Sequence, residues 1–573
     1  MHSFQSPRGM TLIDVVVGTA LVVIVFSGIF AALNASISLS SYVKNEAAAD
    51  SIANNEMEYI RSLSYDQVGT IGGIPSGVVP QTSTTTQDST MFTVHTFIDY
   101  YDDSADGTGV NDTNTITTDY KRVDITVTYT TKSGTKTAEL ASIFAPPGIE
   151  TTTGGGTLQV LVVTSTGSPL VGAVVHIVNS AVSPAVDLTA FSDRYGSVTL
   201  PGALASSQYQ VTVSNYSGYS VAQTYARNSN NQNPTPGYMT VAANQTTTGT
   251  FAIDALANLT IGTFSPIATS TFSDAFVDTT KLASHTNTAI RAGGLALTNG
   301  SSGYVLSGTA IASTTAPAYL ASWGALNATL VTPSGTDASV QVLDQSGNPI
   351  PEVVLPGNAA GFRTFPVSLA GVSTTTYPAL ELSVNLSTTN PAVTPMISAW
   401  SLSSRVGPIP IPNVTFGLVG AKTIGSTGTG APIYKTTVTA TTSSTGTDTL
   451  PLEWDSYSLT VPSYDVVDAC GAPPFALAPA TNVSESLILG ASTANSMLVT
   501  VTDSLGNIVP GASVTVSRSG YSSIVQTSAC GTAYFGNISS ANDYSVTIAK
   551  TGYTSLTTTG VVVSGQEFYD EAF

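Results

Sequence analysis

The chain is long, acidic and poor in charged residues, which narrows the classes of protein that it can belong to. It has 573 residues, so several domains are expected rather than one core. Charged residues make up 9% of the chain, against about 25% in an ordinary soluble protein. The net charge of −19 disfavours nucleic acid binding, because phosphates would be repelled. The composition is typical of β-rich extracellular modules with a surface of Ser, Thr, Asn and Gly.

A short polar leader precedes a long apolar segment at the N-terminus. The leader MHSFQSPRG contains Arg8 and no acid, and no charge occurs from Val15 to Leu33. About 19 apolar residues in a helix span roughly 28 Å, close to the thickness of a bilayer core. The positive charge before the span predicts a cytoplasmic N-terminus. A secretory signal peptide and a plain transmembrane anchor are the alternatives, although the stretch FAALNASIS offers no clean small-x-small cleavage site.

The residues at the start of this span carry a more specific pattern. The run GMTLID, from Gly9 to Asp14, resembles the type IV prepilin cleavage and methylation motif. The resemblance implies that a prepilin peptidase cuts after Gly9 and that Met10 becomes the N-methylated first residue, as in minor pilins and pseudopilins. It also implies that the Asp14 carboxylate pairs with the N-terminal amine of a neighbouring subunit in a filament. The family usually has Glu where this chain has Asp14.

The helix is predicted to continue beyond the membrane and to lead into a small headpiece. Four apolar residues fall at helical spacing on one face, and the break comes at Gly69. These four are Ala48, Ile52, Tyr59 and Leu63. Alternating apolar residues around 92–98 and 123–129 then predict β-strands. The predicted segments are a leader at 1–9, a helix at 10–69 and a pilin-like α+β headpiece at 70–148.

An acidic loop separates the two predicted headpiece strands and is a candidate calcium site. Its oxygen-bearing residues partly match a D-x-[DN]-x-[DN]-G calcium loop, but the closing Glu of an EF-hand is missing. The candidate ligands are Asp102, Ser104, Asp106, Asn111 and Asp112. A solvated acidic hairpin loop without metal is the alternative. No other cofactor is expected.

An internal repeat follows a Pro- and Gly-rich linker. Each copy opens with an alternating strand, and a later turn glycine precedes a tyrosine by thirteen residues, as in Gly196 to Tyr209 and Gly531 to Tyr544. The pattern resembles the carboxypeptidase regulatory-like domain, a β-sandwich, which implies a binding or spacer module. The copies are predicted at 157–254 and 495–573. A divergent third copy is predicted at 407–492.

A longer segment at 255–406 is predicted to be a larger β-sandwich of lectin or jelly-roll type. Its many short strands are separated by Gly and Pro turns, and Trp323 and Trp400 are predicted core anchors. Taken together, the predicted fold class is mainly β and multidomain: a long N-terminal transmembrane α-helix, an α+β headpiece and tandem antiparallel β-sandwiches.

The two cysteines are predicted to form a disulfide. Cys470 and Cys530 lie beyond the membrane span, where an oxidising compartment is expected, and both fall in predicted loops. The bridge would tie the last two modules together, and two independent buried thiols are the alternative. The histidines show no metal-ligand spacing. They are His2, His95, His176 and His285.

No catalytic pattern stands out in the chain. There is no nucleophile elbow, P-loop or dinucleotide fingerprint, and scattered carboxylates such as Asp278 and Glu453 are expected by chance among 36 acids. The sequence therefore predicts a structural or adhesive subunit of a type IV pilus-like filament, not an enzyme. Its expected partners are other pilin subunits, the prepilin peptidase, the membrane and surface glycans or neighbouring cells. It would pass from the cytoplasmic membrane to the cell surface.

Two alternatives belong to other functional classes. The first is a surface adhesin that an uncleaved helix holds permanently in the membrane without a filament. The second is a type II secretion pseudopilin whose modules contact cargo. A bulky chain of domains behind the headpiece favours a tip or rare subunit within a filament.

Overall fold

A computed structural model confirms the predicted fold class: the protein is mainly β and multidomain, with a long helix at its N-terminus. The structure describes residues 12–101, 119–131, 134–146, 155–215, 217–291, 293–471 and 473–573. For residues 12–20 and Ile24 the description is limited to the backbone.

The helix and the sheet that follows it form the headpiece, residues 45–146. The helix runs from Leu12 to Arg61 and a short 3-10 turn from Tyr65 to Gln67. The four strands pair antiparallel in chain order as a meander. They are Thr82–Gln87, Thr90–Tyr101, Tyr120–Thr131 and Gly134–Phe144. The alternation predicted at 92–98 and 123–129 is confirmed, since the apolar side of both central strands is buried against the helix.

Module A, residues 155–254, is a two-sheet sandwich. Its first strand lies parallel to its last and antiparallel to its fourth, and the second sheet packs across them. The strands are Gly156–Val163, Val174–Asn179, Val186–Phe191, Ser197–Ala203, Ser206–Ser214, Ala222–Gln223, Asn233–Pro234, Met239–Val241 and Thr246–Ala252.

Module C, residues 495–573, repeats the topology of module A. Its first strand again pairs parallel with its last and antiparallel with its fourth. The strands are Ser496–Thr502, Ser513–Arg518, Tyr521–Gln526, Thr532–Gly536, Ala541–Ala549, Leu556–Val563 and Gln566–Ala572.

Module B has the same topology but is assembled from two separate stretches of chain, 257–264 and 409–491. Its first strand, Ala257–Phe264, lies parallel to Asn482–Ala491 and antiparallel to Thr447–Leu452. The remaining strands are Thr415–Gly420, Thr423–Ser426, Pro432–Tyr434, Thr437–Thr441, Asp455–Thr460, Tyr464–Ala469 and Phe475–Leu477.

The insert, residues 268–406, is a larger sandwich that interrupts module B. A six-stranded and a four-stranded sheet enclose one core, with Trp323 and Trp400 2% and 1% exposed, as predicted. The strands are Ala268–Asp274, Leu282–Thr286, Thr288–Arg291, Gly294–Leu297, Asn299–Gly300, Gly303–Tyr304, Ser307–Ala312, Leu320–Val331, Thr336–Asp344, Val367–Ser368, Leu380–Thr388 and Met396–Val406.

The domain division in the structure differs from the one expected from sequence at residues 255–264. The sequence analysis placed this strand with the insert at 255–406 and began the divergent copy at 407. The insert instead enters at the first turn of module B, where the Ser265 amide donates to the Ile409 carbonyl at 2.8 Å. The same turn is closed without an insertion in the other two modules. The Thr164 amide donates to the Ser168 carbonyl in module A, and the Asp503 amide donates to the Asn507 carbonyl in module C, both at 2.8 Å.

The signals that revealed the repeat correspond to shared internal contacts. The turn glycines Gly196, Gly446 and Gly531 all have a φ of 73–75°, a conformation that glycine adopts without strain. Each tyrosine is fully buried and donates its hydroxyl to a backbone carbonyl four or five residues upstream. These bonds join Tyr209 to Leu204, Tyr457 to Glu453 and Tyr544 to Ser539 at 2.9–3.0 Å.

Candidate functional site

The first part of the helix exposes a continuous apolar surface. The large apolar side chains described between residues 21 and 39 are 55–68% exposed. These include Leu21, Val23, Phe26, Ile29, Phe30 and Leu33. An apolar window with a mean hydropathy of 2.1 over eighteen residues is long enough to cross a bilayer. Such a surface requires lipid or other helices around it.

The last part of the helix is covered by the headpiece sheet. Ala49, Ala53, Met57 and Ile60 are 0–2% exposed and pack against the apolar side of the two central strands. Ala48, Ile52 and Leu63 flank this contact, as the sequence predicted. Tyr59 does not belong to it and is 46% exposed, because the buried stripe runs through Met57 and Ile60 instead.

A buried lysine fixes the sheet to the end of the helix. Lys121 is 3% exposed, and its Nζ donates to the carbonyls of Tyr65 and Val68 at 2.9 and 2.8 Å. The ammonium group also lies over the Tyr65 ring, 4.4 Å from its centroid. These bonds satisfy a buried charge at the junction between helix and sheet. One part of the same helix is therefore rigidly mounted, while the other is bare.

The predicted processing and metal residues lie largely outside the described part of the chain. Gly9 and Met10 precede the first described residue, and only the backbone of Asp14 is described, near the start of the helix. Asp102, Ser104, Asp106, Asn111 and Asp112 also lie outside the described residues. Within the described ranges, no three His, Cys, Asp or Glu side chains come together in a metal-binding arrangement.

The joint between modules B and C contains the predicted disulfide. Cys470 and Cys530 are bonded, with their Cα atoms 4.5 Å apart. Around the bridge, the Gln566 side chain forms two hydrogen bonds with the Val466 backbone, at 2.9 and 3.0 Å. The Tyr534 hydroxyl donates to Asp465 Oδ2 at 2.6 Å, and burial together with this bond raises the Tyr534 pKa to about 12. Covalent and polar contacts thus join two separately folded modules.

Reducing this disulfide should loosen the joint without unfolding either module. In the chain-entropy model, a bridge across 60 residues contributes at most about 4 kcal/mol to the free energy of unfolding. Denatured, unreduced protein should contain no free thiol and should run as a monomer on a non-reducing gel. A double Cys470→Ser, Cys530→Ser variant should be as stable as the reduced unaltered protein, and adding reductant should not change the stability of the variant. Two free thiols in protein taken from the cell surface would contradict the bridge.

The joint between modules A and B is made by strand pairing and a buried ion cluster. Asn233–Pro234 pairs antiparallel with Gly425 and Ser426, and Lys435 Nζ donates to the Val221 carbonyl at 2.8 Å. Glu453, 6% exposed, accepts from Lys435 at 2.7 Å and from Lys422 at 3.5 Å. Burial lowers the pKa of Lys422. The Glu453 carboxylate is thus held by two lysines at a module joint.

The headpiece docks on module A through a third joint. The Thr189 amide donates to the Gly72 carbonyl at 3.0 Å, and Gln81 Nε2 donates to the Thr189 carbonyl at 2.7 Å. The rings of Phe97 and Phe191 meet edge to face, 5.7 Å apart. Apart from the cysteines, the sequence analysis assigned no role to the residues of the three joints, because their partners lie on different modules, and it named Glu453 only as a carboxylate expected by chance. Aligning the repeats on the turn glycine would have drawn attention to Cys530 and Tyr534 around Gly531, but not to the strand pair between modules A and B.

Comparisons with known proteins assign the chain to no family. No family model matches, and no curated protein matches. Among solved structures, the Bacillus anthracis TIE protein aligns over 86% of this chain and 72% of its own, at 10% identity and a TM-score of 0.15. The major pilin subunit BcpA of Bacillus cereus aligns over 73% and 99%, at 9% identity and a TM-score of 0.13. A streptococcal ancillary pilin aligns over 64% of this chain and 75% of its own, at 10% identity and a TM-score of 0.15. Such scores do not establish a shared fold.

Proposed function

We propose that this protein is a structural and adhesive subunit, of minor pilin or pseudopilin type, in a bacterial type IV pilus-like filament. The apolar helix would hold the chain in the cytoplasmic membrane before assembly and pack among the helices of other subunits afterwards. The modules would then be displayed at the cell surface, where glycans or neighbouring cells are the expected ligands. The role is mechanical rather than catalytic.

The observation that carries the proposal is the division of one helix into a covered and a bare part. Residues 49–60 pack under a four-stranded antiparallel sheet, whereas the large apolar side chains described between 21 and 39 are 55–68% exposed. Because the sheet holds residues 49–60, the exposed apolar part of the same helix extends from the headpiece as a stiff anchoring segment. The GMTLID run directly precedes that end and resembles the site at which prepilins are cut.

The contacts at the three joints support a mechanical role for the chain of modules as a stalk. Main-chain hydrogen bonds, a strand pair and a disulfide connect the headpiece to module A, module A to module B and module B to module C. Loops between modules with no such contacts would let each module swing freely. A stiff chain of modules suits display away from the membrane, and the insert projects from the first turn of module B as the largest candidate binding unit.

Asp14 variants test filament assembly separately from membrane insertion. Asp14→Ala should remove the partner of the neighbouring N-terminal amine, and an unpaired buried charge of this kind costs about 3–5 kcal/mol. The variant should remain in the membrane, but its amount in the surface fraction released by shearing should fall at least about tenfold. Asp14→Glu, which introduces the usual residue of the family, should be found in the sheared surface fraction in the amount seen for the unaltered chain.

Asp50→Ala is the matched control, because Asp50 lies exposed on the covered part of the same helix. It should assemble as the unaltered chain does. A wild-type protein that stays in the membrane after shearing, with no effect of Asp14→Ala, would instead identify a static membrane-anchored adhesin. Recovery with secreted cargo rather than with surface filaments would identify a secretion pseudopilin.

Calcium binding by the 102–112 loop is part of the proposal. The strands on either side, Thr90–Tyr101 and Tyr120–Thr131, are antiparallel neighbours. The carboxylate and amide oxygens of the candidate residues are ligands that calcium prefers.

A further inference from the structure

A small cavity lies in the joint between the headpiece and module A, and two aspartates are among the residues that line it. Its volume is about 20 Å³, which is room for one water molecule. Asp99 reaches it from the second headpiece strand and Asp193 from the turn before Gly196 of module A. Thr96 and Phe191 complete the wall on the two sides. The cavity therefore brings together acids from two separately folded units.

The turn of module A holds Asp193 in place. Its Oδ1 accepts the amides of Tyr195 at 2.8 Å and Ser197 at 2.7 Å. These bonds orient the carboxyl group beside the cavity that Asp99 also lines. Two ionised carboxylates cannot hydrogen bond to each other, since neither carries a donor. A direct contact between the two carboxyl groups therefore needs a proton on one of them.

Among the described residues, no lysine or arginine forms an ion pair with either carboxyl group. Arg122 is the cross-strand neighbour of Asp99, but its guanidinium is engaged by Asp124 through two bonds of 2.7 and 2.9 Å. Arg194, on the turn itself, is exposed and lies over the Tyr195 ring, 5.0 Å away. Asp99 Oδ1 is buried with no hydrogen-bond partner. Within the described residues, the charge of Arg122 acts on Asp99 without forming an ion pair with it.

The last joint of the chain has the same geometry with different chemistry. Ser528 stands three residues before Gly531, as Asp193 stands three residues before Gly196. Its hydroxyl donates to Asp468 Oδ1 of module B at 2.8 Å, and the Thr532 hydroxyl donates to the same oxygen. There a carboxylate meets hydroxyl donors and needs no extra proton. Of these two joints, only the one between the headpiece and module A brings two carboxyl groups together.

We propose that the joint between the headpiece and module A is a proton-dependent latch, in which Asp99 and Asp193 share one proton while the two units are docked. The proton lies on Asp99 and is donated to the Asp193 carboxylate. When it is lost to water, two facing carboxylates remain and the units separate. The stalk is therefore stiff at acidic pH and hinged behind the headpiece at higher pH.

The direction of the pH effect follows from the two titrations. Burial, then the charges of Asp193 and Asp124, raise the pKa of Asp99 well above its ordinary value, and burial raises the pKa of Asp193 as well. Docking therefore binds more protons than the open state does. Its contribution is complete below the ordinary Asp pKa of about 3.9 and is lost as pH rises through the raised pKa of the docked pair. Within that window the opening equilibrium rises by up to about tenfold per pH unit.

Amide hydrogen exchange at Thr189 measures the latch directly, because this amide donates across the joint to Gly72. The full chain in detergent micelles should be followed between pH 5 and pH 8, with each rate divided by the intrinsic chemical rate. Thr189 protection should fall at least about tenfold over this range. The Val466 amide, which donates to Gln566 across the joint of modules B and C, should keep its protection.

Two variants should abolish the pH dependence from opposite sides of the joint. Asp99→Asn supplies an amide donor to Asp193, and Asp193→Ser copies the hydroxyl of Ser528. Both should show at pH 8 the Thr189 protection that the unaltered chain has at pH 5. Asp88→Asn is the control, since Asp88 is exposed on the headpiece and pairs with Lys44. It should keep the dependence.

Two results would overturn the latch. The first is a corrected Thr189 protection that does not change between pH 5 and pH 8 in the unaltered chain. The second is full recovery of protection at pH 8 on adding millimolar calcium, which would make a cation rather than a proton the bridge between the carboxylates.

Discussion

Replacing Gly9 by alanine should leave the chain in the membrane with its first nine residues still attached. The resemblance of GMTLID to the prepilin motif implies cleavage after Gly9, and a side chain at that position should block the peptidase. Membrane insertion should be unaffected, because the apolar span begins later in the chain. Intact-mass analysis of detergent-extracted protein, from cells with an active prepilin peptidase, measures the difference.

Gly28→Ala is the matched control for this experiment. A Cβ at Gly28 meets nothing within 4 Å, and alanine favours a helix more than glycine does by about 1 kcal/mol. The control should therefore be processed as the unaltered chain is. An unaltered chain that keeps its nine leading residues would remove the filament proposal and leave the uncleaved membrane adhesin.

A second large effect is expected at Leu259, in the strand that completes module B across the insert. Leu259 is fully buried in the module B core, so Leu259→Ala should cost about 2–5 kcal/mol of local stability. The loss should appear as faster hydrogen exchange in residues 415–491, all of which follow the insert in the chain. The insert itself, 268–406, should keep its protection because it has a core of its own.

Leu382→Ala provides the converse control. Leu382 is 1% exposed in the core of the insert, so its truncation should speed exchange within 268–406 and spare 415–491. If Leu259→Ala loosened the insert and left 415–491 protected, the strand would belong with the insert, as the sequence division at 406 implied. Full-length protein is suitable for both variants, because the readout is local.

The interrupted module also bears on how the protein presents its largest unit. The chain enters the insert after Phe264 and returns before Pro410, two residues that form a bridge with each other. In the proposed stalk, a force would cross module B at this bridge rather than pass through the strands of the insert. A binding unit mounted in this way would keep its shape while the stalk is under load.

The sequence by itself determined the elements whose signals are local. An uncharged apolar run of about 19 residues is long enough to span a bilayer, whatever the rest of the chain does. The alternating residues at 92–98 and 123–129 form strands once one face of them is buried. The repeat was readable for the same reason. Its turn glycine needs a positive φ, and its tyrosine bonds to a carbonyl no more than five residues away.

Only the tertiary structure decided how distant segments combine. The strand Ala257–Phe264 has the alternation of any buried strand, and its parallel partner lies more than two hundred residues further on, with Asn258 bonded to Asn482. Asp99 and Asp193 each look like ordinary surface acids in the sequence. They become a pair because two modules, each folded around its own core, dock at that point. Local periodicity encodes which face of an element is buried, whereas the identity of the covering partner depends on contacts between residues far apart in the chain.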